Sequence, residues 1–209
     1  MYVPKHFLED RVPVIHETIR KIALGTLVTF GSDGLEASHI PLLIDPEPAP
    51  FGTLRGHVAR SNPQWKRANA DTPALVTFLG PEAYITPNWF PSKRETGKVV
   101  PTWNYLAIHA YGSARFFEDR EPLLEIVTRL TDTHEGRRAS PWAVTDAPAD
   151  YIDTMLKAII GVEIPLTRLE GKWKLSQNKS GADIAGIRDG LAQEDGENAA
   201  ALSRAMSDI

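Results

Sequence analysis

The sequence predicts a mainly β protein with helices, of the α+β class, built as a small antiparallel barrel. Three observations predict it. Short apolar or alternating runs recur between residues 26 and 117, separated by turns rich in glycine and proline, which is the punctuation of antiparallel strands. A further strand pattern near 162–175 follows a helical stretch, and a lone last strand needs a partner, so it is expected to pair back into the first sheet. No Gly-x-Gly-x-x-Gly follows a strand, which argues against a doubly wound dinucleotide fold.

The elements follow in order. Residues 10–24 read as a helix, with Asp10 as cap, Ile15, Ile19 and Ile22 at helical spacing, and Gly25 as the stop. Thr26 to Phe30 is a strand, Gly31-Ser32-Asp33-Gly34 a turn, and Leu35 to Ile44 the returning strand of the hairpin. The proline-rich residues 45–50 form a loop, and Thr53 to Val58 a third strand. Asn62 as cap and Pro63 at the first helical position open a short helix.

Ala74 to Leu79 reads as a buried strand, Gly80-Pro81 as a turn, 83–86 as more strand, and 87–98 as a loop. Thr102 to Phe117 reads as one long or bent strand with Gly112 as a bulge. Helices are expected over 120–134 and near 149–160, the second carrying Ile152, Met155, Leu156 and Ile159 and ending at Gly161. Residues 162–166 and 171–175 flank a last strand or hairpin. Ser180 and Asp183 match a capping box ahead of Ile184, Ile187 and Leu191. The expected organisation is a single domain over 1–191 with a helical insertion at about 120–160, then a polar tail, 192–209, helical or disordered.

Composition narrows the function classes. The 209 residues are enough for one proper core. Cysteine is absent, which excludes disulfides, thiolate metal sites and a cysteine nucleophile, and suits a reducing cytoplasm. No signal-peptide pattern opens the chain, and no apolar run approaches the roughly 20 residues that span a bilayer. The net charge of −4 lacks the basic excess of a dedicated nucleic-acid binder. P-loop and Gly-x-Ser-x-Gly motifs are missing, so nucleotide triphosphatases and α/β-hydrolases recede.

The strongest local feature is Gly56-His57-Val58-Ala59-Arg60-Ser61-Asn62-Pro63. A strand ends at a basic residue and a hydroxyl, and a helix begins just after. Free N–H groups at a helix start, a guanidinium at Arg60 and a hydroxyl at Ser61 suit a phosphate. The plain alternative is a surface strand-to-helix turn with an ordinary cap. His39, His57 and His109 sit in strand patterns whose spacing fits no helical metal motif, so no metal site is expected. Tyr84, Trp89, Trp103, Tyr105 and Tyr111 cluster in the sequence and suit either core packing or the wall of a flat ring. No acid–base pair stands out, so no catalytic residue is assigned.

Together these segments resemble the PaiB-like family of FMN-binding negative transcriptional regulators. The resemblance runs through Met1-Tyr2-Val3-Pro4-Lys5-His6-Phe7, Gly25-Thr26-Leu27-Val28, Ser38-His39-Ile40-Pro41 and the Gly56 to Trp65 stretch. It continues through Gly80-Pro81-Glu82-Ala83-Tyr84-Ile85, Val100-Pro101-Thr102-Trp103-Asn104-Tyr105, Ser140-Pro141-Trp142 and Lys172-Trp173-Lys174-Leu175-Ser176-Gln177-Asn178. It implies an FMN-binding split β-barrel, similar to pyridoxamine-phosphate oxidases and flavin reductases, and a homodimer with FMN at the subunit seam. In such flavoproteins a Ser-Arg-Lys-type segment after the third strand holds the phosphate. Ala59-Arg60-Ser61 stands at the comparable place in a different residue order.

The expectation drawn from this resemblance is a flavoprotein, with oxidoreductase activity left open. Arg60, Ser61 and Asn62 would hold the phosphate, and His39 or His57 would line the pocket. Trp103 would approach the ring, and Lys174 and Gln177 would add polar contacts from near the last strand. Two alternatives stand beside it. One is a DNA-binding repressor with flavin as effector or relic, whose clustered basic candidates are Lys66, Arg67, Lys93, Arg94 and Lys98; no DNA-reading element supports it. The other is a haem-binding or haem-degrading protein using His6, His39 or His57.

Overall fold

The computed structural model describes residues 1–208. Its strands are β1 (Leu8–Glu9), β2 (Leu24–Gly31), β3 (Gly34–Asp45), β4 (Thr53–Ala59), β5 (Ala74–Ile85), β6 (Thr102–Gly112), β7 (Arg115–Phe117) and β8 (Ile159–Lys174). Its α-helices are α1 (Val12–Ile22), α2 (Gln64–Arg67), α3 (Ser92–Thr96), α4 (Arg120–Glu135), α5 (Ala149–Leu156), α6 (Gly181–Leu191) and α7 (Glu197–Ala205). The strand order is β1-β8-β4-β3-β2-β5-β6, and β6 also pairs with β8. The ribbon from β8 through β4, β3, β2, β5 and β6 therefore closes on itself, the barrel the sequence predicted.

The chain forms two compact units. The first comprises Val12–Phe78 and His109–Leu169. Its frame is the β2–β3 hairpin, in antiparallel register from Leu24 opposite Pro41 to Gly31 opposite Gly34. Gly34 adopts φ 98°, a left-handed conformation that costs glycine nothing at the turn. β4 pairs with β3 on one side and with β8 on the other. Leu27, Leu54, Val58, Val76, Ile160 and Ile164 alternate inward along these strands and are buried. α1 seals one side with Ile15 and Ile19, and α4 brings in Leu123, Ile126 and Leu130. A charge cluster ties α4 to the strands: Asp45 of β3 accepts from Arg129 of α4 and from Arg55 of β4, and Arg55 also holds Glu163 of β8. Burial opposes ionisation of Asp45, but the hydrogen bonds and charges of Arg129 and Arg55 outweigh it and hold its carboxyl below the usual range.

The second unit comprises Met1–Arg11, Leu79–Ile108 and the chain from Glu170 onward. Ile85, Phe90, Leu106 and Leu175 face Ile187 and Leu191 of α6 and Leu202 of α7 in one apolar cluster. Ser180 caps α6, accepting from Asp183 N at 3.2 Å. The Asp183 carboxylate accepts in turn from Ser92 N and Oγ, at 3.1 and 2.9 Å, which fixes α3.

Three local expectations change, and two open alternatives are decided. Gly80-Pro81 does not turn the chain: β5 runs unbroken through both residues, since proline tolerates extended backbone wherever its missing N–H is not needed. Thr102 to Phe117 breaks into β6 and β7. Gly112 ends β6 where an added Cβ would stand 2.1 Å from the Pro165 carbonyl. α5 stops at Leu156, and Ile159 to Gly161 open β8 rather than ending a helix, because pairing with β4 at Ala59, Val58 and His57 captures them. The last strand is one 16-residue element, not a hairpin. The tail is ordered as α7, because Leu202 and Met206 bury themselves in the cluster on α6.

Candidate functional site

The turn after β4 is built to hold one shape. An added Cβ at Gly56 would stand 2.7 Å from the Pro41 carbonyl, so only glycine lets β4 lie this close to β3. Arg60 N donates to Ala158 O at 2.8 Å, and Asn62 N donates to Ala59 O at 2.9 Å. Asn62 Oδ1 accepts from Gln64 N at 3.0 Å, and its Nδ2 donates to Ser38 Oγ at 2.8 Å. Gln64 is fully buried, and its Nε2 faces Leu27 O, Thr29 Oγ1 and Glu36 O at 3.1–3.2 Å. Trp65 Nε1 donates to Arg60 O at 3.0 Å. The turn is thus anchored to β2 and β3 by one buried amide. α2 itself is a single turn of four residues, so the anion-binding power expected of a helix start falls instead on the Arg60 and Ser61 side chains.

Arg60 forms an ion pair with Glu118, and its Nε donates to Lys157 O at 2.5 Å. The two charged side chains are 37% and 56% exposed, so the pair is open to exchange. Arg120 and Asp153 continue the groove, about 270 Å³, that runs beside Arg60. Ser61 is exposed, and its hydroxyl has no side-chain partner among the described residues.

His39 is exposed on β3 and hydrogen-bonds Thr26 Oγ1 through Nδ1 at 2.9 Å. His57 lies on β4 in an open groove of about 310 Å³ shared with Pro41, Leu130, His134 and Trp142. Its Nδ1 is enclosed and has no hydrogen-bond partner among the described residues. Burial pushes its pKa below the ordinary 6.5, so the ring is neutral at pH 7. All five residues, His39, His57, Arg60, Ser61 and Asn62, belong to the first unit.

Trp103, Lys174 and Gln177 belong to the second. Trp103 is half exposed on β6. Lys174 donates to Thr102 Oγ1 at 2.5 Å and to Trp103 O. Its pKa is lowered by burial first and then by the charges of Lys172 and Lys179. Gln177 folds back on its own strand end, accepting from Leu175 N at 2.8 Å and donating to Trp173 O at 2.7 Å. Both ends of its amide are thereby engaged in a local turn. Of the basic residues weighed for DNA, Lys66 and Arg67 lie in the first unit and Lys93, Arg94 and Lys98 in the second, and Arg67 is paired with Asp33 and Glu36.

Three residues that matter here escaped sequence reasoning. Glu118 lies 58 positions from Arg60, and no local signal joins them. Gln64 reads as a polar helix residue and is instead the buried anchor. Lys172 had a signal that could have been used, its period-2 relation to Lys174 on one strand face.

The model of the family described as "Putative FMN-binding domain" matches residues 1–168. The chain belongs to this family. Its cofactor is FMN, as the resemblance implied. The protease synthase and sporulation protein PAI 2 of Bacillus subtilis is 33% identical over 208 residues, spanning 100% of this chain and 97% of that protein. Among solved structures, the flavocytochrome Anf3 from Azotobacter vinelandii superposes with a TM-score of 0.59 at 10% identity, covering 88% of this chain and 78% of that one. The FAD and haem binding protein from Mycobacterium smegmatis gives 0.58 at 16% identity, covering 85% and 78%. At these identities the two structures speak for the split-barrel fold alone. No helix among the described residues is long and apolar enough to cross a membrane.

The first unit's donor set suits the cofactor. A free hydroxyl at Ser61 and a guanidinium at Arg60 held by an exchangeable carboxylate are groups that a phosphate can satisfy.

Proposed function

We propose that this protein is a homodimeric FMN flavoprotein in which Arg60 and Ser61 hold the flavin phosphate. The observation that carries the reading is the turn after β4, which is anchored by the buried Gln64 amide and carries a partly exposed Arg60 beside an exposed Ser61. A rigid presentation matters because a preorganised donor pair binds without losing further conformational freedom. The phosphate replaces Glu118 at Arg60, and Ser61 donates its hydroxyl. Asn62 keeps the turn closed through Ser38 and Gln64. His39 and His57 offer ring nitrogens on the same outer face of β3 and β4, and His57 stays neutral there. When bound, FMN supplies hydride and electron transfer; the chain supplies position and electrostatics.

The dimer reading rests on an apolar sheet face. Leu24, Phe30 and Leu35 are 56%, 49% and 77% exposed, and β2–β3 register places Phe30 opposite Leu35 and Val28 opposite Ala37 on that face. Phe30 and Leu35 stand side by side as exposed apolar surface, which a partner can cover, and the Thr26–His39 pair separates them from Leu24. A second chain of the same sequence is the occupant the family resemblance supports. A regulatory role has its support in the family resemblance.

The test is direct. Protein loaded with FMN should show flavin absorbance and quench FMN fluorescence. Arg60→Met with Ser61→Ala should weaken FMN binding and leave riboflavin, which lacks the phosphate, unaffected. Equal losses for the two flavins would refute the phosphate assignment.

A further inference from the structure

Among the described residues, Lys172 and Lys174 of the second unit form no ion pair, although Glu170 precedes them on β8. Lys172 and Lys174 are two apart on β8 and share a face, opposite to Trp173 and Leu175, which pack against the core. Lys172 is only 9% exposed. Its ammonium stands 5.8 Å from the Tyr2 ring centroid and 5.2 Å from that of Tyr105, and Lys174 Nζ stands 5.9 Å from the same Tyr105 ring. The charges acting on Lys174 are both cations, Lys172 and Lys179. Lys174 gives two donors to Thr102 and Trp103; the Lys172 ammonium gives none to any described acceptor. A buried ammonium without an anion is costly, and aromatic faces offset only part of that cost.

Flat rings adjoin the pair. Trp103, two residues before Tyr105 on the same face of β6, is 50% exposed, and Tyr84 is 49% exposed. Their rings meet edge to face at 6.2 Å. Exposed aromatic faces stack bases with little sequence preference, and paired lysines beside them match a phosphate.

We propose that Lys172 and Lys174, with Tyr105 between them and Trp103 and Tyr84 alongside, form a second site that takes a nucleoside phosphate. The phosphate lies on the two ammonium groups, and the base lies on the exposed rings. Trp103 and Lys174, expected from the sequence as flavin contacts, belong on this reading to a second ligand. The site does not depend on flavin binding at Arg60.

The test measures AMP and adenosine binding to FMN-loaded protein by calorimetry. AMP should bind at least tenfold more tightly than adenosine, and more salt should narrow the gap. Lys172→Met with Lys174→Met should abolish the preference and leave FMN affinity within twofold. Equal binding of AMP and adenosine overturns the proposal, as does a preference that survives the double substitution. If the variant instead loses FMN, and FMN displaces AMP, the lysines serve the flavin phosphate and the second-ligand assignment falls. That outcome is separable from the Arg60 reading, which the Arg60→Met titration tests alone. A measurement needing no variant uses pyridoxal 5′-phosphate with borohydride trapping. Label on Lys172 or Lys174 that AMP suppresses supports the site; label spread over exposed lysines and indifferent to AMP refutes it.

Discussion

Glu118→Gln is the most informative single change, because the flavin reading requires a gain where ordinary reasoning expects a loss. In the free protein Arg60 is paired with Glu118, both side chains partly exposed at 37% and 56%. An ion pair in such surroundings contributes about 0–1 kcal/mol. If the flavin phosphate must displace Glu118, removing that carboxylate's charge lowers the cost of binding by the same amount. The FMN dissociation constant should fall by up to about fivefold, at about 1.4 kcal/mol per tenfold. Arg60→Met removes the charge-assisted bonds themselves, about 1.5–3 kcal/mol, and should weaken FMN about 10- to 150-fold. The assay is fluorescence-quench titration of FMN into apoprotein at low salt, with riboflavin as the control that carries no phosphate. Riboflavin should respond to neither variant. Weaker FMN binding in Glu118→Gln, or less than a twofold change in Arg60→Met, would refute phosphate capture at Arg60.

Three further outcomes follow from the packing. His57 has a folded pKa below its ordinary 6.5 because burial disfavours the charged ring. The unfolded chain therefore binds the extra proton first, so its contribution is fully present above pH 6.5 and declines as pH falls from there through the folded pKa. His57→Gln should flatten that part of a denaturation-against-pH curve; an unchanged slope would remove His57 as its source. Gly161→Ala would put a Cβ 2.4 Å from the Phe117 ring and should cost about 1–3 kcal/mol in urea unfolding, whereas an unchanged midpoint would mean the ring moves freely aside. On the proposed dimer, Phe30→Glu with Leu35→Glu should leave a species near 23.1 kDa in light scattering, and a variant that stays dimeric would place the seam elsewhere.

The strands and helices with strong local periodicity were legible from residues alone. The Gly31–Gly34 hairpin, the α4 stripe of Leu123, Ile126 and Leu130, and the Ser180 cap each depend on neighbours a few positions away. Errors gathered where a distant partner outweighs local preference. Ile159 and Gly161 extend the apolar spacing of α5, yet pairing with β4 draws them into β8. Gly80-Pro81 carries turn chemistry, yet the chain stays extended there.

The same division runs through the site. The sequence by itself carried the barrel class and the Arg60-Ser61 turn, because their chemistry is local, while the family and its cofactor came through the resemblance of its ordered blocks to known flavoproteins. Only the tertiary structure decided what each side chain faces. It set Glu118 against Arg60, buried Gln64 beneath the turn, closed the Gln177 amide on its own strand, and stood Lys172 and Lys174 over the same Tyr105 ring. Charge partners are chosen by proximity in space, and residues 58 positions apart leave no mark of it in the order of the chain.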